Sequence, residues 1–234
     1  MYKDKTFLAI IPARGGSKRL PNENILDLAG KPLIAWSIEA GLGSKYIDKV
    51  MVTSDSEEIL DISKNFGAEV LKRPDELAND TAITFDAIAH TIESLNEKYD
   101  YIVLLQPTSP LRNAKHIDEA IELLNDKEAD AIVSVCEMDH NPLWSNTLPA
   151  SLSMEGFLRD EIKNKRSQDL EKYYRINGAI YICKTDKLLK ENTLFLNKNI
   201  FAYIMDRKSS VDIDEEIDFI LSKNLIQRIN GEKI

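Results

Sequence analysis

The chain predicts an α/β fold with a doubly wound, mostly parallel sheet, on three observations. Short apolar runs recur along it, separated by stretches with helical period. The first run empties into a turn holding two glycines and three cations. With 234 residues, 43% hydrophobic and 29% charged, the chain is long enough to bury a sizeable core and ordinary in composition. Strand–helix alternation calls for parallel pairing, because a parallel return needs a crossover and a helix supplies it. In such sheets ligands gather at the carboxyl ends of the strands.

Taken in order, residues 7–11, 49–53, 101–105 and 131–136 read as buried strands bounded by turns or charges. Helices are expected over 33–42, 57–66, 85–95 and 117–124. Ser56 precedes two acids as an N-cap would, and Ile88, Ile92 and Leu95 fall on one helical face. The pattern breaks after Cys136. Residues 137–175 carry Pro142, Pro149, Gly156 and a polar run over 163–169 with little periodicity, so they form either a long functional excursion or a flexible linker. Strands resume at 179–183 and 201–205, and a closing helix over 215–228 is expected to bury Ile217, Leu221 and Leu225.

A net charge of −9 argues against a nucleic-acid partner, which asks for a basic face. It leaves room for a nucleotide, which responds to a local field. Apolar runs are strand-length, so no membrane span is expected, and the start of the chain does not read as a signal peptide. Cys136 and Cys183 sit inside strand-like runs as two buried free thiols. Together these point to the cytoplasm.

Chemistry concentrates in Arg14-Gly15-Gly16-Ser17-Lys18-Arg19. Glycines there permit unusual backbone angles and close approach, and exposed N–H groups with three cations suit a polyphosphate. A surface turn with solvated cations has the same composition. The stretch has neither the Rossmann glycine spacing nor a Walker A motif, since Pro32 follows Gly30-Lys31. Near the far end, Asp212 and Asp214 alternate along one strand face, where two acids repel unless a cation lies between them. Their hard oxygens suit Mg²⁺. Asp214 as a helix cap with Asp212 solvated is the other reading.

The opening resembles that of the sugar-nucleotide cytidylyltransferases, particularly the N-acylneuraminate cytidylyltransferases. Three later blocks continue the resemblance in order: residues 104–112 (LLQPTSPLR), 177–182 (NGAIYI) and 212–218 (DIDEEID). The resemblance implies a nucleotidyltransferase (Rossmann-like) fold and one domain over 1–234, with 137–175 as an arm that dimerises and completes the partner's sugar pocket. It places Arg14, Gly15, Gly16, Ser17, Lys18, Asn24 and Arg73 around CTP, with Arg14 and Lys18 also catalytic. It gives Asp212 and Asp214 to a catalytic Mg²⁺. It assigns Gln106, Arg166, Tyr181 and Phe195 to an acidic nine-carbon sugar, Arg166 pairing with the sugar carboxylate. The implied reaction is attack of the sugar's anomeric hydroxyl on the α-phosphorus of CTP, giving a CMP-sugar and pyrophosphate.

One position departs from the pattern. Pro21-Asn22-Glu23-Asn24 carries Glu23 where the family reads lysine or arginine facing the phosphates. A unit charge about 5 Å from a phosphate, at an effective dielectric of about 20, is worth roughly 3 kcal/mol. Either Glu23 points away and Arg19 or Lys18 compensates, or the enzyme is slow. A cytidylyltransferase for the eight-carbon acid Kdo and a non-catalytic nucleotide-sugar-binding protein are the alternatives.

Overall fold

The computed structural model describes residues 2–17, 19–79, 82–229 and 231. Along the chain run β1 (Phe7–Pro12), β2 (Asp27–Leu28), β3 (Lys31–Pro32), α1 (Leu33–Leu42), β4 (Lys49–Ser54), α2 (Glu57–Asn65), β5 (Glu69–Lys72), α3 (Thr84–Ser94), β6 (Tyr101–Leu104), α4 (Ala114–Asp126), β7 (Ala131–Glu137), β8 (Tyr174–Lys184), α5 (Thr185–Glu191), β9 (Ile200–Met205) and α6 (Glu216–Ile229). Seven strands form one sheet in the order β5–β4–β1–β6–β8–β7–β9, while β2 and β3 make a small pair of their own.

β1 explains why the sheet is covered twice. Phe7, Ala9 and Ile11 pack on one face with Ile34 and Ile38 of α1, Ile59 of α2 and Ile117 and Ile121 of α4. Leu8 and Ile10 pack on the other with Ile88 of α3 and Leu188 of α5. Such a strand has no polar side, so it reads as an unbroken apolar run. Each fully buried Leu or Ile contributes about 1.5–3 kcal/mol of transfer free energy. Ser56 accepts from the Ile59 N–H at 3.4 Å and caps α2 as expected. Cys136 and Cys183 are both buried and free.

Three features differ from the sequence expectation. β8 is antiparallel to both β6 and β7, although β5, β4, β1 and β6 pair in parallel and β9 pairs in parallel with β7. Between β7 and β8 the chain makes the long excursion instead of a helical crossover, so nothing forces a parallel return. The short elements β2, β3, β5 and α5 escape periodicity because each spans too few residues to show one. Finally, α6 buries Ser222 and Ile226 against Leu28, Leu33 and Leu111, with Leu225 half-buried, while Ile217 and Leu221 are exposed. That helix touches only one corner of the molecule, so its inward stripe is narrower than its apolar face.

Residues 138–173 contain no α-helix or strand, only 3-10 turns at Pro142–Trp144 and Ser167–Asp169. Within this arm Ile162 is the single buried apolar side chain. No helix among the described residues is long and apolar enough to cross a membrane.

Candidate active site

The carboxyl ends of β1, β5 and β6 open onto a cleft lined by Arg14, Glu23, Asn24, Arg73, Gln106 and Thr108, among others. The turn after β1 is held from below. Asn24 Nδ2 donates to the Arg14 carbonyl at 3.1 Å, and Arg73 Nη2 donates to the Ala13 carbonyl at 3.1 Å. The Gly15 N–H donates to Asp55 Oδ1 at 3.0 Å, and that same oxygen lies 3.8 Å from Arg73 Nη2. Gly15 and Gly16 therefore play a different part from the one expected. Neither adopts a positive φ. Gly15 is needed for closeness, because a Cβ there would meet Ser56 Cβ at 3.2 Å; one on Gly16 would meet nothing. Lys18 lies outside the described residues.

Two buried atoms in this cleft have no protein partner, Asn24 Oδ1 and Arg73 Nε, on residues only 3% and 5% exposed. Burial pushes the Arg73 guanidinium below its ordinary value, against the opposing pull of Asp55. Glu23 does not point away. Burial pushes its carboxyl up; a hydrogen bond with Ser17 and the Arg14 charge oppose that, and Asp214 and Asp212 add to it.

Asp212 stands next to this cleft. Burial raises its carboxyl, the Thr108 hydrogen bond opposes, Asp214 raises it further and Arg175 offsets part of the cost. Arg175 is itself fixed by donating to the Ser210 carbonyl at 3.0 Å. Asp214 is exposed and pairs with Arg19 at 3.1 Å. Asp214 is not a cap: Asp218 accepts from the backbone N–H groups of Asp214 and Glu215, closing the turn itself. Asp214 lies near enough to Asp212 to raise the cost of its charge, and a pair of hard carboxylate oxygens suits a divalent cation completed by substrate oxygens and water. Among the described residues no third acid, histidine or cysteine joins them in a metal-holding group.

Gly178 joins the two sides of the site. Its φ is +75°, and a Cβ there would sit 2.5 Å from Gln106 Oε1 and 3.4 Å from Asp212 Oδ2. The glycine is what allows the Gln106 carboxamide to close over the strand here, while the Asp212 carboxylate stands at ordinary contact distance from the same point. Below it Asn177 is buried, accepting from Ser134 Oγ at 2.6 Å and donating to Ser210 Oγ at 2.9 Å. Tyr181, two strand positions beyond Ala179, packs edge-on against Phe195 with ring centroids 5.8 Å apart and feels the Asp212 charge.

Arg166 does not join this assembly within the chain. It lies on the arm, exposed, and donates to both oxygens of Asp169 at 2.9 and 3.2 Å. Thr108, Arg175 and Asp55 gained no role from the sequence. Thr108 lies inside a quoted block, but nothing about its residue type marks the side chain that would meet Asp212.

The profile of the cytidylyltransferase family matches residues 8–230, and the chain belongs to that family. It is 41% identical over 228 residues to the N-acylneuraminate cytidylyltransferase of Escherichia coli O18:K1:H7, an alignment covering 97% of this chain and 54% of that one. The chain thus spans about half the length of that relative. It is 36% identical over 238 residues to the CMP-N,N'-diacetyllegionaminic acid synthase of Legionella pneumophila, covering 97% of this chain and 98% of the relative. Among solved structures, a CMP:2-keto-3-deoxy-manno-octonic acid synthetase complexed with CTP superposes with a TM-score of 0.73 at 18% identity, over 96% of this chain and 99% of that one. That likeness speaks for the fold.

Proposed function

We propose that this chain transfers CMP from CTP to a nonulosonic acid, releasing pyrophosphate. One observation carries the reading: Arg14, Asn24 and Arg73 converge on one cleft with Gln106, whose side chain lies over Gly178 on the side where Asp212 stands. Arg14 and Lys18 offset charge on the triphosphate. Asn24 Oδ1 and Arg73 Nε, both without protein partners, offer an acceptor and a donor to the nucleoside. Asp212 and Asp214 would hold Mg²⁺, whose chemistry is to neutralise charge on the phosphates. Gln106 orients the sugar, and Tyr181 and Phe195 line its acyl side. Positioning and charge compensation do most of the work, as in phosphoryl transfer generally.

The same reading makes the protein a cytoplasmic homodimer, with the arm laid on the partner. Support comes from unpaired apolar surface on both sides of the contact. Ile176 and Ile204 flank Val135 on one sheet face and are exposed, as are Leu148, Leu152 and Met154 of the arm. Arg166 would then reach the partner's sugar, exchanging Asp169 for the sugar carboxylate in a bidentate pair.

Pyrophosphate release from CTP and Mg²⁺, with a panel of nonulosonic acids and Kdo, tests the proposal. Turnover with a nine-carbon acid is the expected result. Turnover with Kdo alone, or CTP binding without turnover on any acid, overturns it.

A further inference from the structure

Arg112 is the largest fully buried side chain among the described residues, with 1% of its surface exposed. Its Nη2 donates to Ser37 Oγ at 2.7 Å and to the Gln106 carbonyl at 3.2 Å. Its Nε donates to the Ala179 carbonyl at 3.3 Å, and Nη1 has no partner. No acid faces this charge: burial alone pushes the guanidinium down to about 9, with no opposing carboxylate. It is still a cation at neutral pH. A buried charge without a counter-ion is expensive, and an apolar side chain of similar volume is often the more stable choice.

What the guanidinium holds gives it a purpose. Gln106 ends the run from β6, and its side chain lies over Gly178, the residue before Ala179. Arg112 therefore grips the backbone on both sides of that contact. One bond takes the carbonyl of the residue that carries the carboxamide. Another takes the carbonyl just past the glycine beneath it. The third anchors both to Ser37 on α1. A planar guanidinium spreads its donors over Nε and Nη2 in a fixed fork, whereas an ammonium gathers its three donors on one nitrogen.

We propose that Arg112 is a positioning residue, which presets Gln106 over Gly178 and beside Asp212 so that the sugar-facing wall exists before substrate arrives. This rests on the reading of Gln106 as a sugar contact. The test compares wild type, Arg112→Lys and Arg112→Met by two readouts. Amide hydrogen exchange is followed in peptides covering 104–109 and 176–181. Pyrophosphate release is measured with CTP and the sugar acid varied separately.

In Arg112→Lys the two peptides should exchange at least about tenfold faster while the rest of the protein is unchanged. The sugar KM should rise at least about tenfold, with the CTP KM within about twofold. Arg112→Met, which keeps the packing, should show the same split. Unchanged exchange in both peptides overturns the proposal. So does faster exchange throughout with equal losses for both substrates, the signature of a merely structural residue. If wild type turns over no sugar acid, the functional reading fails, and the exchange comparison alone decides whether Arg112 sets this wall.

Discussion

Arg73 and Arg112 on the one hand, and Arg166 on the other, show two ways of holding an arginine in the same chain. The first two are buried and pinned to backbone carbonyls by strands that pack on both faces. Arg166 is exposed on an arm with one buried apolar residue, and it is held by an acid three positions away. An exposed pair of that kind contributes at most about 1 kcal/mol. The contrast teaches that the cleft lined by Arg73 and Gln106 is finished by the fold of one chain. The arm's cation is parked, with a partner it can leave cheaply.

The largest effect should come from the core-held side. Asp212→Asn should lower kcat by at least about a hundredfold at ordinary Mg²⁺, since an amide keeps the shape but lacks the charge a hard cation requires. Its fold should survive. Burial holds the Asp212 carboxyl above its ordinary value, so the folded protein binds that proton more tightly than the unfolded chain. The resulting stability is present below about pH 4 and lost as pH rises through the raised value. At neutral pH the charge is therefore a cost, and Asp212→Asn should match or exceed the wild-type Tm. A clear fall in Tm, or wild-type turnover, would count against the assignment.

Arg166→Ala should come next. Losing a charge-assisted bidentate pair of about 2 kcal/mol raises the sugar KM roughly thirtyfold and leaves the CTP KM alone. Specific activity should also fall on dilution below the dimer dissociation constant. A monomer with full specific activity and an intact response to Arg166→Ala would erase the contrast between wall and arm.

Glu23→Lys probes the cleft itself. Because the carboxylate faces the cleft, reversing its charge should raise kcat/KM for CTP by about tenfold. A change under about twofold would mean that the phosphates lie elsewhere. Gly178→Ala is the mildest. A non-glycine residue at φ +75° costs about 1–2 kcal/mol, and the new Cβ must displace the end of a flexible glutamine. A Tm lower by several degrees and a sugar KM raised a few-fold are expected, with CTP unaffected.

Much of the fold was legible because β1, β4, β6 and β7 are buried on both faces and so leave apolar runs. The inverted β8 was not, since strand direction depends on what connects it, and a structureless arm carries no periodic signal. In α6 the pattern misled: Ile217 and Leu221 make a helical stripe in sequence, yet the helix has too little of the molecule beneath it to bury them. The Arg14 loop and the Asp212/Asp214 pair were legible from residue type and spacing, but Arg73 and Gln106 became visible only through motif resemblance, because they come from segments far apart in the chain. Arg112 closed a quoted block without gaining a role. Nothing in an arginine's residue type separates one on the surface from one at the centre of the protein.

The inverted strand also bears on how the protein is made. β5, β4, β1 and β6 are complete once residue 104 has emerged, but β6 pairs on its far side only with 181–184 of β8. At a synthesis rate of about 5–20 residues per second, the intervening 80 residues (184 minus 104) take roughly 4–16 seconds. Throughout that interval a nascent half-sheet presents a bare apolar edge, the kind of surface on which chains pair wrongly. The ribosome's pace from the end of β6 to the end of β8 thus sets how long that edge stays uncovered.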